Sequence, residues 1–129
     1  MCTQKTKARK YQLTFNNPVD HGFTHEVIRT TLASFPGIQY WCMCDEVGEQ
    51  GTPHTHLYLY SPNAILFTTL QNRFMGAHIE MAKGSHQANR DYIRKEGRWL
   101  DDGKHETNLP ETFEESGDLP PERDKRQSV

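Results

Sequence analysis

Little in this chain points to a secreted, membrane-spanning or disulfide-built protein. It has three cysteines, Cys2, Cys42 and Cys44. The count is odd and two of them form a C-x-C pair on one expected strand. No disulfide framework can be drawn, and the compartment reads as reducing and intracellular. No apolar run approaches the length that crosses a bilayer, and residues 1–10 lack the apolar segment of a secretory signal. Hydrophobic residues make up only 34% of the 129, which suits one domain with a modest core and leaves part of the chain outside it. A phosphate-binding loop of the GxxxxGKS or GxxxxGKT type is missing, so helicase activity is not assigned to this stretch. Strong positive charge is missing too. A formal net charge of −2 speaks against a protein that coats duplex DNA.

That charge is unevenly spread. Lys5, Lys7, Arg9 and Lys10 fall in residues 1–10 with no acidic partner, whereas residues 101–124 are strongly acidic. Without the acidic end the body is basic, which admits a nucleic-acid partner. The expected organisation is a basic arm over 1–10, a domain over 11–100, and a flexible acidic linker or tail over 101–129, where Asn108-Leu109-Pro110 and Leu119-Pro120-Pro121 interrupt any pattern.

What the chain does have is alternation. Tyr11, Leu13 and Phe15 share one parity of a first strand, and Gln12, Thr14 and Asn16 the other. Thr24 caps an expected helix through Phe35, with Val27, Ile28, Leu32 and Phe35 at helical spacing. Ile38–Glu46 reads as a second strand. Gly48 and Gly51 turn it into a third, Pro53–Tyr60, which Pro62 is expected to close. A short helix near Ala64–Phe74 and a strand Ala77–Met81 follow. Ser85 caps a helix through Glu96, and Trp99 begins a closing segment. The order β-α-β-β-α-β-α predicts an α+β fold: a central antiparallel sheet of about five strands with helices packed mainly on one face. The opposite face collects Gln12, Thr14, Asn16, His54, His56, Tyr58, His78 and Glu80, an unusual dressing for a purely structural sheet.

Two features carry chemistry, the first on that open face. His54 and His56 are alternate residues of a strand, so both imidazoles leave one side about 6.5–7 Å apart, close enough to share a cation. A carboxylate on the neighbouring strand would complete the set. Glu46 lies across the turn at the matching parity, while Asp45 has the wrong parity and Glu49 falls in the turn. Such a His₂-carboxylate set suits Mn²⁺, Zn²⁺ or Fe²⁺ and accepts Mg²⁺ more weakly. The second feature is the helix after Ser85, where Asn89, Tyr92 and Lys95 share a face. A phenol near pKa 10 is a poor nucleophile. A lysine beside it favours the phenolate and can balance charge on a phosphate.

Taken together, Leu13-Thr14-Phe15-Asn16-Asn17, Pro53-His54-Thr55-His56 and Tyr92-Ile93-Arg94-Lys95-Glu96-Gly97 resemble the three ordered motifs of the HUH-superfamily rolling-circle replication initiators. The resemblance is to the Rep endonuclease domain of circular single-stranded DNA viruses of geminivirus, nanovirus and circovirus type and of related plasmids. It covers roughly Arg9 to Trp99, and Gly76–Gly84 is similar to the circovirus-type segment before the third motif.

The resemblance implies an RRM-like HUH fold and a metal-dependent endonuclease acting on single-stranded origin DNA, commonly presented as a stem-loop. Glu46, His54 and His56 would hold Mn²⁺ or Mg²⁺. Tyr92 would be the nucleophile and Lys95 its basic companion. Asn16 and Asn17 would serve DNA recognition. Arg9, Tyr58, His78, Lys83, Asn89 and Arg90 are further candidate DNA contacts. Members of the family continue into an oligomerisation segment and a helicase domain, so this chain is expected to be the endonuclease part alone, with self-association a property of a longer protein. The host nucleus is implied for a eukaryotic virus and the cytoplasm for a bacterial plasmid. Two rival readings predict different behaviour. A non-catalytic nucleic-acid module would bind regardless of chelators, and a metal hydrolase using water would leave no protein on its product. Trp41 and Met43 are expected in the core or at a covered edge, and Cys42 and Cys44 as small buried hydrophobes rather than ligands. His21, His25, His86 and His105 are expected at the surface, and Trp99 is expected to pack the closing segment.

Overall fold

The structure is a computed structural model that describes residues 6–48, 51–96 and 108–121. Five strands, β1 (Lys7–Asn16), β2 (Tyr40–Val47), β3 (Pro53–Leu66), β4 (His78–Met81) and β5 (Asn108–Gly117), form one sheet in the order β4-β1-β3-β2-β5. Every neighbouring pair is antiparallel. Three helices accompany it: α1 (His25–Ala33), α2 (Phe67–Arg73) and α3 (His86–Arg94). Their starts follow side-chain capping chemistry. Thr24 accepts from the Val27 N–H and Ser85 from the Ala88 N–H, each satisfying one of the donors a helix start leaves open. None of the described helices is long and apolar enough to cross a membrane.

Alternation sorts the strands onto two faces. Tyr11, Leu13 and Phe15 of β1, Met43 of β2, and Leu57 and Leu59 of β3 are buried against Ile28 and Leu32 of α1 and Leu70 of α2. Each such side chain contributes about 1.5–3 kcal/mol by leaving water. The other face is not open. α3 lies on it and buries Tyr40, Cys42, Cys44 and Tyr58 around Ile93. Burial pushes the Cys42 thiol up to about 12, as befits a small apolar filler rather than a ligand.

Three expectations need correcting. The first strand begins at Lys7, so Lys7, Arg9 and Lys10 are sheet residues rather than an arm. Pro62 does not close the third strand. β3 runs on to Leu66, and the pairing of β1 shifts between Ala8 and Lys10, which accommodates the ring. The acidic stretch, read as a linker, supplies edge strand β5 over Asn108–Gly117. Its pairing with β2 is irregular between Met43 and Asp45, where the Asp45 N–H donates to Thr112 Oγ1 instead. Gly117 closes this strand at φ 87°, and a Cβ there would meet the Gln39 carbonyl oxygen at 2.0 Å, so only glycine fits. Trp99 and His105 lie outside the described residues.

Candidate active site

The β2–β3 hairpin sets Glu46 directly opposite His54, and the β1–β3 ladder sets Thr14 opposite His56. His54 and His56 present their rings nearly perpendicular, with centroids 5.0 Å apart. The Nε2 atom of His54 lies 3.3 Å from Glu46 Oε1, and that of His56 lies 3.4 Å from Oε2. One ligand atom from each of Glu46, His54 and His56 falls within 4.8 Å of the others. Among the described residues this is the one such group of His, Cys, Asp and Glu. Thr14 Oγ1 sits 3.3 Å from His56 Nδ1 and steadies the ring from behind. Thr14 falls on this face by its parity in β1, and its place opposite a histidine is the signal of its role.

α3 brings the remaining groups. The Tyr92 ring meets the His56 ring edge to face at 5.8 Å. Lys95 follows α3 with φ 58° and is almost fully buried, at 3% exposure. Its Nζ lies 3.8 Å from the Tyr92 ring centroid, donates to the Tyr92 carbonyl at 2.8 Å, and sits 2.9 Å from Glu46 Oε2. The lysine therefore faces the ring and the carboxylate. Burial would raise the Glu46 carboxyl, but His56 and Lys95 overcome it and hold the group well below the usual carboxylate range. The Tyr92 phenol moves the other way. Burial raises it, and the charges of Glu46 and Glu80 raise it further, so it is protonated at neutral pH.

The donor set fits a divalent cation. Two imidazole nitrogens and a carboxylate converge, and Glu46 Oε2 is buried without a well-aligned hydrogen bond. Asp45, as its parity requires, points to the other face and accepts from Thr55 Oγ1 and His25 Nε2.

The expected DNA contacts divide. Asn16 and Asn17 sit at the end of β1 beside this site, Asn17 with φ 48° and its N–H bonded to the Pro53 carbonyl. His78 and Lys83 are exposed, and His78 pairs with Glu80 at 2.7 Å. Arg9 is exposed and its Nε donates to the Pro62 carbonyl. Tyr58, by contrast, is fully buried with its hydroxyl 2.6 Å from His86 Nδ1, so it cannot stack on a base. Asn89 is also buried. It donates to the Lys83 and Ser85 carbonyls and accepts from Gln12, which makes it a strut of the α3 start. Arg90 is paired with Glu115 of β5 and leans on Phe113. Two histidines expected at the surface are structural instead: His25 bridges Asp45 and Glu114, and His86 holds Tyr58.

The sequence is similar to that of known proteins. Residues 8–96 match the family described as "Putative viral replication protein". The chain is 33% identical over 97 residues to the replication-associated protein of pigeon circovirus, covering 75% of this chain. It is 37% identical over 90 residues to that of beak and feather disease virus, covering 69%. In each case the match spans 29% of the relative's length. The matched span carries Glu46, both histidines, Tyr92 and Lys95, and it extends over well more than half of the chain: this protein belongs to the viral replication protein family.

Proposed function

We propose that this chain initiates rolling-circle replication by nicking single-stranded origin DNA through Tyr92 and can rejoin the ends. The observation that carries the reading is the edge contact of Tyr92 with His56, which joins a phenol and a cation-ready trio in one site. Tyr92 Oη would attack phosphorus in line. The Oη–P bond forms as the P–O3′ bond breaks, leaving a 5′-phosphotyrosine and a free 3′-hydroxyl. The phenol's proton leaves during attack and the departing 3′ oxygen gains one. The count of phosphate ester bonds is unchanged, so a new 3′-hydroxyl can reverse the step without outside energy.

Glu46, His54 and His56 would hold Mn²⁺ or Mg²⁺, which when bound polarises the scissile phosphate. Lys95 fixes the Tyr92 ring through its face and holds Glu46 in place, which makes it a positioning residue. Thr14 orients His56. Asn16 and Asn17 lie where DNA would enter. The relatives come from viruses named for birds, which favours the host nucleus as the place of action; a helicase partner and self-association would belong to a longer protein.

The test is incubation with labelled single-stranded origin-like oligonucleotides and Mn²⁺, read on a denaturing gel. A protein-sized shift of the label that disappears in Tyr92→Phe, while binding persists, is the expected result. Cleavage by Tyr92→Phe overturns the nucleophile. Cut DNA without a shifted band favours water as the attacking group, and chelator-insensitive binding without cutting favours a non-catalytic module.

A further inference from the structure

A cavity of about 680 Å³ opens at the far end of α3 from Tyr92. Arg9, Lys10, Tyr60 and His86 are among its walls, and none of the described residues that line it is a carboxylate, although the chain holds 17 acidic residues against 15 lysines and arginines. Tyr60 shares its parity with His54 and His56, so it belongs to the same sheet face. Its half-buried ring meets the His86 ring edge to face, with centroids 4.6 Å apart. The bond between His86 Nδ1 and the buried Tyr58 hydroxyl fixes that imidazole, and with it the ring it supports. Lys10 Nζ donates to the Gly84 carbonyl and Arg9 Nε to that of Pro62. Both bonds place the cations on the cavity wall without neutralising them.

We infer that this cavity is a nucleotide subsite for the strand that reaches Tyr92, with Tyr60 as a stacking platform and Arg9 and Lys10 on the neighbouring phosphates. The inference rests on the proposed function for the strand's identity. A fixed aromatic ring and two cations lining one cavity, with no acid among the described residues of its wall, match the alternation of base and phosphate along a strand. From His56 to Tyr60 is four strand positions, about 13 Å. A stacked strand covers that in about four nucleotides and a stretched one in fewer. The base held here is therefore two to four nucleotides, roughly, from the scissile phosphate.

The test uses the full chain carrying Tyr92→Phe and a labelled mixed-sequence single strand of about fifteen nucleotides, followed by fluorescence anisotropy. Adding Tyr60→Ala should weaken binding by about 5- to 150-fold, the range for losing one stacked base, and Tyr60→Phe should restore it. Because Tyr60→Ala could disturb packing, a second arm keeps Tyr60. Abasic substitutions walked along a strand of defined sequence should weaken binding sharply at one position, and a 5-iodouracil placed there should crosslink to the Tyr60 peptide. Unchanged affinity in Tyr60→Ala, equal loss in Tyr60→Phe, or a flat abasic scan overturns the subsite. Binding and crosslinking at Tyr60 without any adduct from the parent chain would leave the subsite standing and remove the nicking activity instead.

Discussion

Lys95 Nζ lies 2.9 Å from Glu46 Oε2, inside a site where the lysine is 3% and the carboxylate side chain 12% exposed. The lysine thus supplies the positive charge that the buried carboxylate needs, and does so from an α3 terminus that also carries Tyr92. Asn108 at the start of β5 pins that terminus by donating to the Arg94 carbonyl.

Breaking this pair from the lysine side strands a buried charge. Lys95→Met should lower stability by about 3–5 kcal/mol, read as a fall in the denaturant midpoint. Adding Glu46→Gln should recover part of the loss, because the stranded charge is gone. A Lys95→Met protein of wild-type stability would mean that water reaches Glu46 freely.

A cation bound by the trio should raise the melting temperature by mass action, with about 2.7 kcal/mol gained at a hundredfold excess over the dissociation constant. Mn²⁺ is expected to do this for the wild type and for Tyr92→Phe. Glu46→Gln and His56→Ala should respond far less, since the first removes the carboxylate charge and the second a ligand nitrogen. Equal shifts in all four proteins, followed by differential scanning fluorimetry, would place the ion elsewhere.

Tyr58 distinguishes core from binding surface. Tyr58→Phe removes one hydrogen bond to His86 and should cost about 0.5–1.5 kcal/mol. Tyr58→Ala also empties a fully buried site and should cost about 3–5 kcal/mol. Urea unfolding of both variants measures the difference. A stable Tyr58→Ala protein would return Tyr58 to the list of DNA contacts.

The pairing of Glu46 with His54 was legible because hairpin parity is a local property: two glycines mark the turn, and alternation does the rest. The caps Thr24 and Ser85 were legible for the same reason. Tyr58 was misplaced because its parity is that of the histidines, and nothing near it reveals that α3 lies across that end of the face. Strand β5 was missed because an edge strand needs little apolar character. Only Leu109 and Phe113 stand out in Asn108–Gly117, and the segment is held by backbone pairing with β2 and by Glu114 and Glu115 reaching α1 and α3. Those partners are distant in the chain, so no local pattern announces them.

Deleting β5 should therefore damage the domain. A chain ending at residue 107 loses Phe113 from the Arg90 and Arg94 stack and exposes the β2 edge. It should unfold at lower denaturant and self-associate through that edge, read by size-exclusion chromatography. A monomeric truncation with an unchanged midpoint would restore the reading of this segment as a dispensable linker.

His25 gives the fold a pH signature. It reaches from α1 to Asp45 of β2 at 2.7 Å and to Glu114 of β5 at 2.6 Å, and Arg29 shares Glu114. The Asp45 hydrogen bond, opposed by burial and reinforced by Glu114, raises the His25 pKa above its ordinary 6.5. A raised histidine stabilises fully below its unfolded pKa and loses that contribution as pH climbs through the folded value. For Asp45 and Glu114, burial pushes upward but His25 and the neighbouring Thr55 and Arg29 win, so both carboxyls sit below 3.8 and 4.5 respectively. Their contribution is present above those values and fades as pH falls through the lowered ones. The clamp is therefore complete from about pH 4.5 to about 6.5 and weakens above. His25→Gln should cost about 1–3 kcal/mol in that window, the scale of a charged hydrogen bond, and progressively less as pH rises above it. Urea midpoints of both proteins across this range decide it. A gap that stays constant, or widens above pH 7, would mean that His25 holds α1 to the sheet as a neutral ring.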